Sequence, residues 1–131
     1  MLKKFVRTMA YIGGIVTGFY LFASAPGIHK KTKWQHLTGW DYAHRGLYDN
    51  EHGIPENSMA AFRRAVDKGY GIELDVHLTA DNQLVVFHDD TLTRMCGMNK
   101  KISSFLYSDL MQLRLLGTEE GIPLFKDVLE L

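Results

Sequence analysis

The sequence has 131 residues, no formal net charge, 46% hydrophobic and 23% charged residues and a single cysteine, which excludes a disordered chain, low complexity and an intramolecular disulfide framework. The charge is distributed unevenly along the chain. Residues 1–33 carry six basic and no acidic side chains, whereas residues 34–131 carry nine basic and fifteen acidic ones. The negative charge of the larger part argues against a nucleic-acid partner.

The first segment has no charged side chain over the 21 residues between Arg7 and His29. A helix of that length rises about 31 Å, which matches the roughly 30 Å hydrocarbon core of a bilayer. We therefore predict a single-pass transmembrane anchor, or signal-anchor, over residues 1–28. Basic residues flank both ends of the span, so the positive-inside rule gives no orientation.

Two alternatives to an anchor stay open. Ala23 and Ala25 are the small residues of a signal-peptidase site, and cleavage there would give a secreted protein. Pro26 would then be the first mature residue, which disfavours cleavage. The other alternative is a buried helix of a soluble protein, but Gly13, Gly14 and Gly18 would each weaken such a helix by about 1 kcal/mol relative to alanine.

Beyond a polar linker over residues 29–40, the sequence alternates short strands with helices. We predict a strand over residues 41–46 and, after a polar loop, a helix over residues 57–69. Asn57 or Ser58 can cap this helix, and a glycine at position 69 can end it. Three apolar side chains are expected on one face of the helix: Met59, Phe62 and Val66.

Residues 71–79 alternate strictly between apolar and polar side chains, which predicts one strand with a polar face. A turn and a strand over residues 84–90 follow, then helices over Leu106–Leu115 and from Pro123 onward. The strand–helix–strand order predicts parallel pairing and an α/β fold. Charged side chains are costly to bury without water or a partner. The polar strand face therefore favours a barrel or sheet with a polar, metal-containing site at the ends of its strands.

Polar pairs lie at or just beyond the predicted strand ends: His44-Arg45, Glu56-Asn57, Glu73-x-Asp75 and His88-Asp89. Glu73 and Asp75 are two residues apart, so on a strand both side chains point the same way and can hold one hard cation, Ca²⁺ or Mg²⁺. A solvated strand face is the alternative interpretation of this pair.

His44 and His88 end different strands, and parallel pairing would bring their rings to one site. Histidine titrates near neutrality, so one ring could serve as general base and the other as general acid. Arg45 offers a fork of donors suited to phosphate. Ordinary packing of the histidines and a surface ion pair of Arg45 are the alternatives.

Four motifs in order, AHRG, PEN, IELDV and VVFHD with the TL–R after it, resemble the glycerophosphodiester phosphodiesterase family from Tyr42 to Leu131. The resemblance implies a (β/α)₈ barrel, of which this chain holds about three strands. It also implies metal-dependent hydrolysis of small glycerophosphodiesters to glycerol 3-phosphate and an alcohol, a reaction of lipid metabolism. Phospholipase C-like or lysophospholipase D-like specificity is the alternative within this class.

The resemblance assigns roles to matching residues. His44 and His88 would be the acid–base pair and Arg45 would hold the phosphate, while the substrate's glycerol 2-hydroxyl attacks phosphorus and water then opens the cyclic phosphate.

Four further residues match the family's site. Glu73 and Asp75 would bind the divalent metal, Ca²⁺ or Mg²⁺. Glu56 and Asn57 would line the site, with Asn57 also capping the helix that follows. His77, on the same strand face as Asp75, is expected at the rim of the site and is not counted as a ligand.

Residues 41–131 supply three of the eight strands of such a barrel, so we expect a partial domain. The family's third acidic metal ligand, in a Glu-x-Lys strand, would follow Leu131. The chain is then a fragment of a longer enzyme or a truncated, non-catalytic relic, and the uncapped helix at Leu131 favours the fragment. We expect these 131 residues alone to have neither phosphodiesterase activity nor cooperative unfolding, because an open sheet edge and barrel interior would face solvent.

Overall fold

The computed structural model describes residues 1–25 and 35–131. Two compact units emerge, Met1–Thr38 and Gly39–Leu131. The end of the predicted anchor, with Pro26, and the first half of the predicted linker lie outside the described residues.

The described residues of the first unit form one long helix and a short turn. Helix α1 (Leu2–Ser24) has no buried residue, and a 3₁₀ turn covers Gln35–Leu37. By length and composition α1 can cross a membrane, and a signal sequence meets the same criterion.

The second unit opens with a βαβ arrangement made of β1 (Tyr42–His44), α2 (Met59–Asp67) and β2 (Gly71–Glu73). Strands β1 and β2 are parallel, and His44 lies opposite Glu73 at their carboxyl ends. The predicted α/β class and the parallel pairing of these two strands are therefore confirmed. This register brings the first and third polar pairs of the sequence to the same edge.

Ser58 rather than Asn57 caps α2, so the capping role expected of Asn57 is wrong. The Ser58 hydroxyl accepts a hydrogen bond from the Ala61 amide at 3.2 Å, and its extended backbone suits an N-cap. Asn57 has a left-handed backbone, with φ of 55°, and its side chain points to another partner. Gly69 follows the helix with φ of 73°, as expected for a residue that ends it.

The buried face of α2 differs in part from the prediction. Phe62 is fully buried and Met59 packs beside it, but Val66 is 45% exposed. Ala61 and Ala65 occupy the buried face instead. Small residues are needed here, because a Cβ on Gly46 would lie 2.9 Å from Ala61 and Phe62 atoms.

The single strand predicted over residues 71–79 is two strands, β2 and β3 (Val76–Leu78), separated at Leu74 and Asp75. Strand β3 pairs antiparallel with β4 (Leu84–Val86), so the parallel pairing expected for the third strand is wrong. The connection between β3 and β4 is too short for a parallel crossover. It closes as a tight turn with Asn82 in the left-handed region, at φ of 59°.

Three short helices remain, of which only the last two were predicted, and both of these are shorter than expected. They are α3 (Thr93–Cys96), α4 (Tyr107–Leu110) and α5 (Phe125–Val128). The helix predicted over Leu106–Leu115 covers only Tyr107–Leu110, and a left-handed residue at Leu116, with φ of 51°, follows within a 3₁₀ turn. The helix expected from Pro123 starts two residues later, because the Pro123 carbonyl accepts a hydrogen bond from the amide of Val86.

Strand β4 lies between two hydrophobic clusters, because its side chains alternate. Val85 and Phe87 belong to one cluster with residues of the C-terminal half, whereas Val86 packs with Phe62 and Val128 in the other. The strand ends at Val86, where residues 84–90 were predicted. After the strand, the Phe87 amide donates a hydrogen bond to the Asp75 carbonyl, and His88 follows directly. The fourth polar pair therefore lies near the third.

Candidate active site

The carboxyl ends of β1 and β2 bring His44 and Arg45 to Glu73. The Nε2 atom of His44 lies 3.8 Å from Oε2 of Glu73, with both side chains about half exposed. The Arg45 amide donates to the Glu73 carbonyl at 2.9 Å and lies 3.3 Å from Oε2 of its carboxylate. One carboxylate therefore faces both a candidate acid–base residue and the backbone of the candidate phosphate ligand.

The Arg45 guanidinium turns inward from a left-handed backbone, with φ of 59°. Its Nη1 donates to Oε1 of Glu56 at 2.9 Å, and its Nε lies 3.6 Å from Oδ2 of Asp75. That Nε atom is buried and has no hydrogen-bond acceptor among the described residues. The side chain is 18% exposed, so its orientation is set mainly by these carboxylates.

Glu56 is buried, at 4% exposure, and its carboxylate has three hydrogen-bonding neighbours. Arg94 donates to both of its oxygens, at 2.7 and 2.9 Å. Arg45 adds the bond described above, and Nδ2 of Asn50 lies 3.4 Å from Oε2. Burial acts to raise the pKa of Glu56, but the hydrogen bonds and charge of Arg94, together with the hydrogen bonds of Arg45 and Asn50, outweigh it and lower the pKa.

Asn57 lines the site beside Asp75. Its Nδ2 donates to Oδ2 of Asp75 at 3.2 Å, and its backbone amide donates to the Arg45 carbonyl at 2.9 Å. Its Oδ1 is buried and has no hydrogen-bond partner in the described part of the chain. The break between β2 and β3 puts Asp75 outside regular strand geometry, so this side chain and Arg45 fix its position.

His88, Asp89 and Arg94 form the other side of the network. Nδ1 of His88 lies 2.6 Å from Oδ1 of Asp89, and Arg94 donates to both Asp89 oxygens at 2.8 and 2.9 Å. The hydrogen bond from Arg94, aided by His88, lowers the pKa of Asp89 to about 2. The ring of His77, predicted at the rim, lies 3.2 Å from the His88 carbonyl.

All seven predicted site residues belong to one network of hydrogen bonds and ion pairs: His44, Arg45, Glu56, Asn57, Glu73, Asp75 and His88. The link to His88 runs through Asp89 and Arg94, which received no role in the sequence analysis. The one signal in the sequence was the arginine that follows the VVFHD motif, in the TL–R pattern. Among the described residues, no group of three or more His, Cys, Asp or Glu side chains is placed to hold a metal ion.

Comparison with known proteins gives consistent matches. The chain matches the sequence model of the Glycerophosphoryl diester phosphodiesterase family over residues 44–131. It is 33% identical over 135 residues to a lysophospholipase D of Rattus norvegicus, covering 93% of this chain and 42% of that protein. It is 41% identical over 97 residues to a glycerophosphodiester phosphodiesterase of Bacillus altitudinis, covering 69% and 38%.

Among solved structures, the chain resembles an Oleispira antarctica phosphodiesterase in complex with the product sn-glycerol-3-phosphate. The TM-score is 0.63 and the identity 30%, over 72% of this chain and 40% of that one. A glycerophosphodiester phosphodiesterase of Thermotoga maritima gives a TM-score of 0.56 at 36% identity, over 68% and 37%. The chain thus spans about two fifths of the length of these relatives.

The lowered pKa of Asp89 predicts acid-dependent stability. Because the pKa falls from an ordinary 3.8 to about 2, ionised Asp89 stabilises the folded state above pH 3.8, and this contribution is lost as the pH falls toward 2. We expect Asp89→Asn to reduce the free energy of unfolding near pH 6 and to match the wild type near pH 2. Urea unfolding of the protein in which this chain occurs, followed across this pH range, measures the difference.

The exposed Asp67 at the end of α2 provides the control for this experiment. Its replacement by asparagine should leave the pH dependence of the wild type unchanged. A constant stability difference between Asp89→Asn and wild type from pH 6 to pH 2 would contradict the ion pair between Asp89 and Arg94.

Proposed function

Because the chain belongs to the glycerophosphoryl diester phosphodiesterase family, we propose that the protein hydrolyses glycerophosphodiesters to glycerol 3-phosphate and an alcohol. The observation that carries this proposal is the single network that joins the seven motif residues, which lie at or beyond the ends of β1, β2 and β4 in the chain. The solved relative with bound glycerol 3-phosphate supports a small-molecule substrate of this type. Since the chain spans about two fifths of its relatives, the activity is proposed for the protein in which it occurs.

Arg45 binds the substrate phosphate in this proposal. Glu56 holds its Nη1, and Asp75 faces its Nε, so the guanidinium is oriented before the substrate arrives. Among the described residues its side chain donates only that one hydrogen bond, which leaves donors for phosphate oxygens. A fixed positive charge here offsets the negative charge that develops on the phosphoryl oxygens during the reaction.

His44 and His88 transfer the protons. One imidazole accepts the proton of the glycerol 2-hydroxyl as that oxygen forms its bond to phosphorus, and the other donates a proton to the departing alcohol as its P–O bond breaks. Water then attacks the phosphorus of the cyclic phosphate and gives a proton to the ring that had donated one. The bond from phosphorus to the glycerol 2-oxygen breaks, and the other ring returns its proton to that oxygen, so both rings regain their starting protonation states. Asp89 orients the His88 ring from Nδ1, which leaves Nε2 for the substrate.

A divalent cation fits the chemistry of the donors beside Arg45. Glu73 and Asp75 offer hard carboxylate oxygens and would hold Ca²⁺ or Mg²⁺, the ions that prefer such ligands. When bound, the ion would supply charge stabilisation to the phosphoryl oxygens. Asn57 holds Asp75 in place through its side-chain amide.

A lysophospholipid substrate is the second candidate. The match to the lysophospholipase D of Rattus norvegicus covers 93% of this chain and so includes part of α1, whereas the match to the Bacillus altitudinis enzyme covers 69%. Parallel assays with glycerophosphocholine and lysophosphatidylcholine distinguish the two, since release of glycerol 3-phosphate identifies the first substrate and release of lysophosphatidic acid the second.

We further propose that α1 is an uncleaved membrane anchor, so that residues 1–28 form an anchor, 29–40 a linker and 41–131 part of the catalytic domain. Its 23 residues and apolar composition allow it to span a bilayer. Cleavage of the same segment as a signal peptide is the alternative, and would give a secreted protein.

Replacement of either candidate acid–base residue should reduce turnover of glycerophosphocholine. We expect His44→Asn and His88→Asn each to lower kcat about 100-fold or more, because a positioned general acid or base contributes about that factor. The double variant should lose less than the product of the two factors, since both groups serve one reaction.

His36, an exposed histidine of the first unit, provides the matched control, and His36→Asn should keep wild-type kcat. Wild-type activity in both His44→Asn and His88→Asn would contradict the assigned roles, and no hydrolysis by the wild type with Ca²⁺ or Mg²⁺ would contradict the function itself.

Neutralising a candidate metal ligand should weaken cation binding. We expect Glu73→Gln or Asp75→Asn to reduce Ca²⁺ or Mg²⁺ affinity at least about 100-fold, since loss of an outer-shell partner alone costs about 10–100-fold. Isothermal titration of the chelator-treated protein with each ion measures this effect. Glu119→Gln, at an exposed position, is the control, and equal affinities in all the variants would place the metal elsewhere.

The anchor proposal predicts that the protein stays in carbonate-washed membranes and that its mature form retains residues before Ala25. Ile15→Lys, at the middle of α1, should reduce retention, because a charge there costs about 2.5–3.5 kcal/mol on insertion. Ile15→Leu should behave as wild type. Recovery of a soluble form that begins at Pro26 would instead support the cleaved signal.

A further inference from the structure

Every side-chain N–H donor of Arg94 makes a hydrogen bond within the protein. An arginine has five N–H donors. The Nε donor goes to Asp89, and the Nη1 donors go to Glu56 at 2.9 Å and to the sulfur of Met95 at 3.1 Å. The two Nη2 donors go to Glu56 at 2.7 Å and Asp89 at 2.9 Å. Although its side chain is 44% exposed, Arg94 therefore has no donor left for a substrate.

The two carboxylates that Arg94 holds contact different parts of the catalytic machinery. Glu56 holds the guanidinium of Arg45 at 2.9 Å, and Asp89 holds the ring of His88 at 2.6 Å. Arg94 thus lies between the candidate phosphate-binding residue and a candidate proton-transfer residue, with one carboxylate on each side.

We propose that Arg94 is a positioning residue of the phosphodiesterase site, which fixes Glu56 and Asp89 and through them orients Arg45 toward the phosphate and His88 toward the transferred proton. This inference rests on the proposed function. Arg94 itself does not touch the substrate. It sets the relative positions of Arg45 and His88, which belong to separate motifs and lie 43 positions apart in the sequence.

The planar fork of arginine is required for this role. Each pair of bonds, to Glu56 and to Asp89, uses two donors in one plane, which fixes the rotation as well as the distance of the carboxylate. Lysine would keep the positive charge but has three donors around one nitrogen, so it cannot make both paired contacts. A lysine substitution therefore separates the effect of charge from that of geometry.

The test uses the protein with Arg94→Gln, Arg94→Lys and, as control, Arg63→Gln at an exposed position of α2. Steady-state hydrolysis of glycerophosphocholine gives kcat and KM, calorimetry gives the affinity for glycerol 3-phosphate, and thermal unfolding gives the folded fraction. We expect Arg94→Gln to lower kcat about 10-fold or more and to raise KM and weaken glycerol 3-phosphate binding by about 3- to 10-fold. Arg94→Lys should recover at most part of each loss, and Arg63→Gln should match the wild type.

The readouts separate positioning from stability, because a smaller folded fraction lowers the apparent kcat but leaves KM unchanged. Wild-type KM and wild-type glycerol 3-phosphate affinity in Arg94→Gln would overturn the inference, as would full recovery by Arg94→Lys. In either case an active wild type would leave the proposed function intact. No hydrolysis by the wild type would contradict the proposed function and this inference with it.

Discussion

The rest of the site depends on a buried carboxylate that has to be kept ionised. Glu56 is 4% exposed, and an unpaired charge at such a position would destabilise the fold by several kcal/mol. Two arginines from different parts of the chain, Arg45 and Arg94, supply the compensating charge and the hydrogen bonds. Each arginine is fixed in turn by a second carboxylate, Asp75 or Asp89. The need to pair one buried anion thus brings together the loops that follow three different strands.

Two non-glycine residues around this buried carboxylate adopt left-handed backbone conformations. Arg45 and Asn57 have φ values of 59° and 55°, and they are joined by a hydrogen bond between the Asn57 amide and the Arg45 carbonyl. Left-handed backbone is unfavourable for residues with a Cβ and tends to persist where the surrounding structure over-determines it. Gly46 follows, where any larger residue would meet Ala61 and Phe62 of α2. The left-handed backbone and the tight packing at Gly46 therefore both orient the side chains of Arg45 and Asn57 toward Asp75.

The sequence was sufficient to predict the βαβ unit and the residues that meet at its edge, because strand ends, helix caps and polar pairs are local signals. It was insufficient for residues 71–79, since alternation of polar and apolar side chains does not reveal a break at Asp75 or an antiparallel partner. Val66 was misassigned because the turn at Gly46 approaches α2 closely at Ala61, and alanines occupy the buried face of the helix instead. Arg94 received no role because its partners, Glu56 and Asp89, are fixed by tertiary packing. A surface arginine and one that joins two motifs look the same in sequence.

The distribution of charge divides the carboxylates of the network into two kinds. Glu56 and Asp89 have lowered pKa values, since each accepts paired hydrogen bonds from a guanidinium. Glu73 and Asp75 have weaker compensation, since the contacts of Glu73 are a histidine ring and a backbone amide, and Arg45 approaches Asp75 no nearer than 3.6 Å. Four carboxylates set against two guanidinium groups leave a formal surplus of two negative charges, located on the side of Glu73 and Asp75. A divalent cation would balance that surplus, and its positive charge would face the phosphate that Arg45 is proposed to bind. The arginines thereby neutralise mainly Glu56 and Asp89, which position the site. They leave weaker compensation at Glu73 and Asp75, the proposed metal ligands.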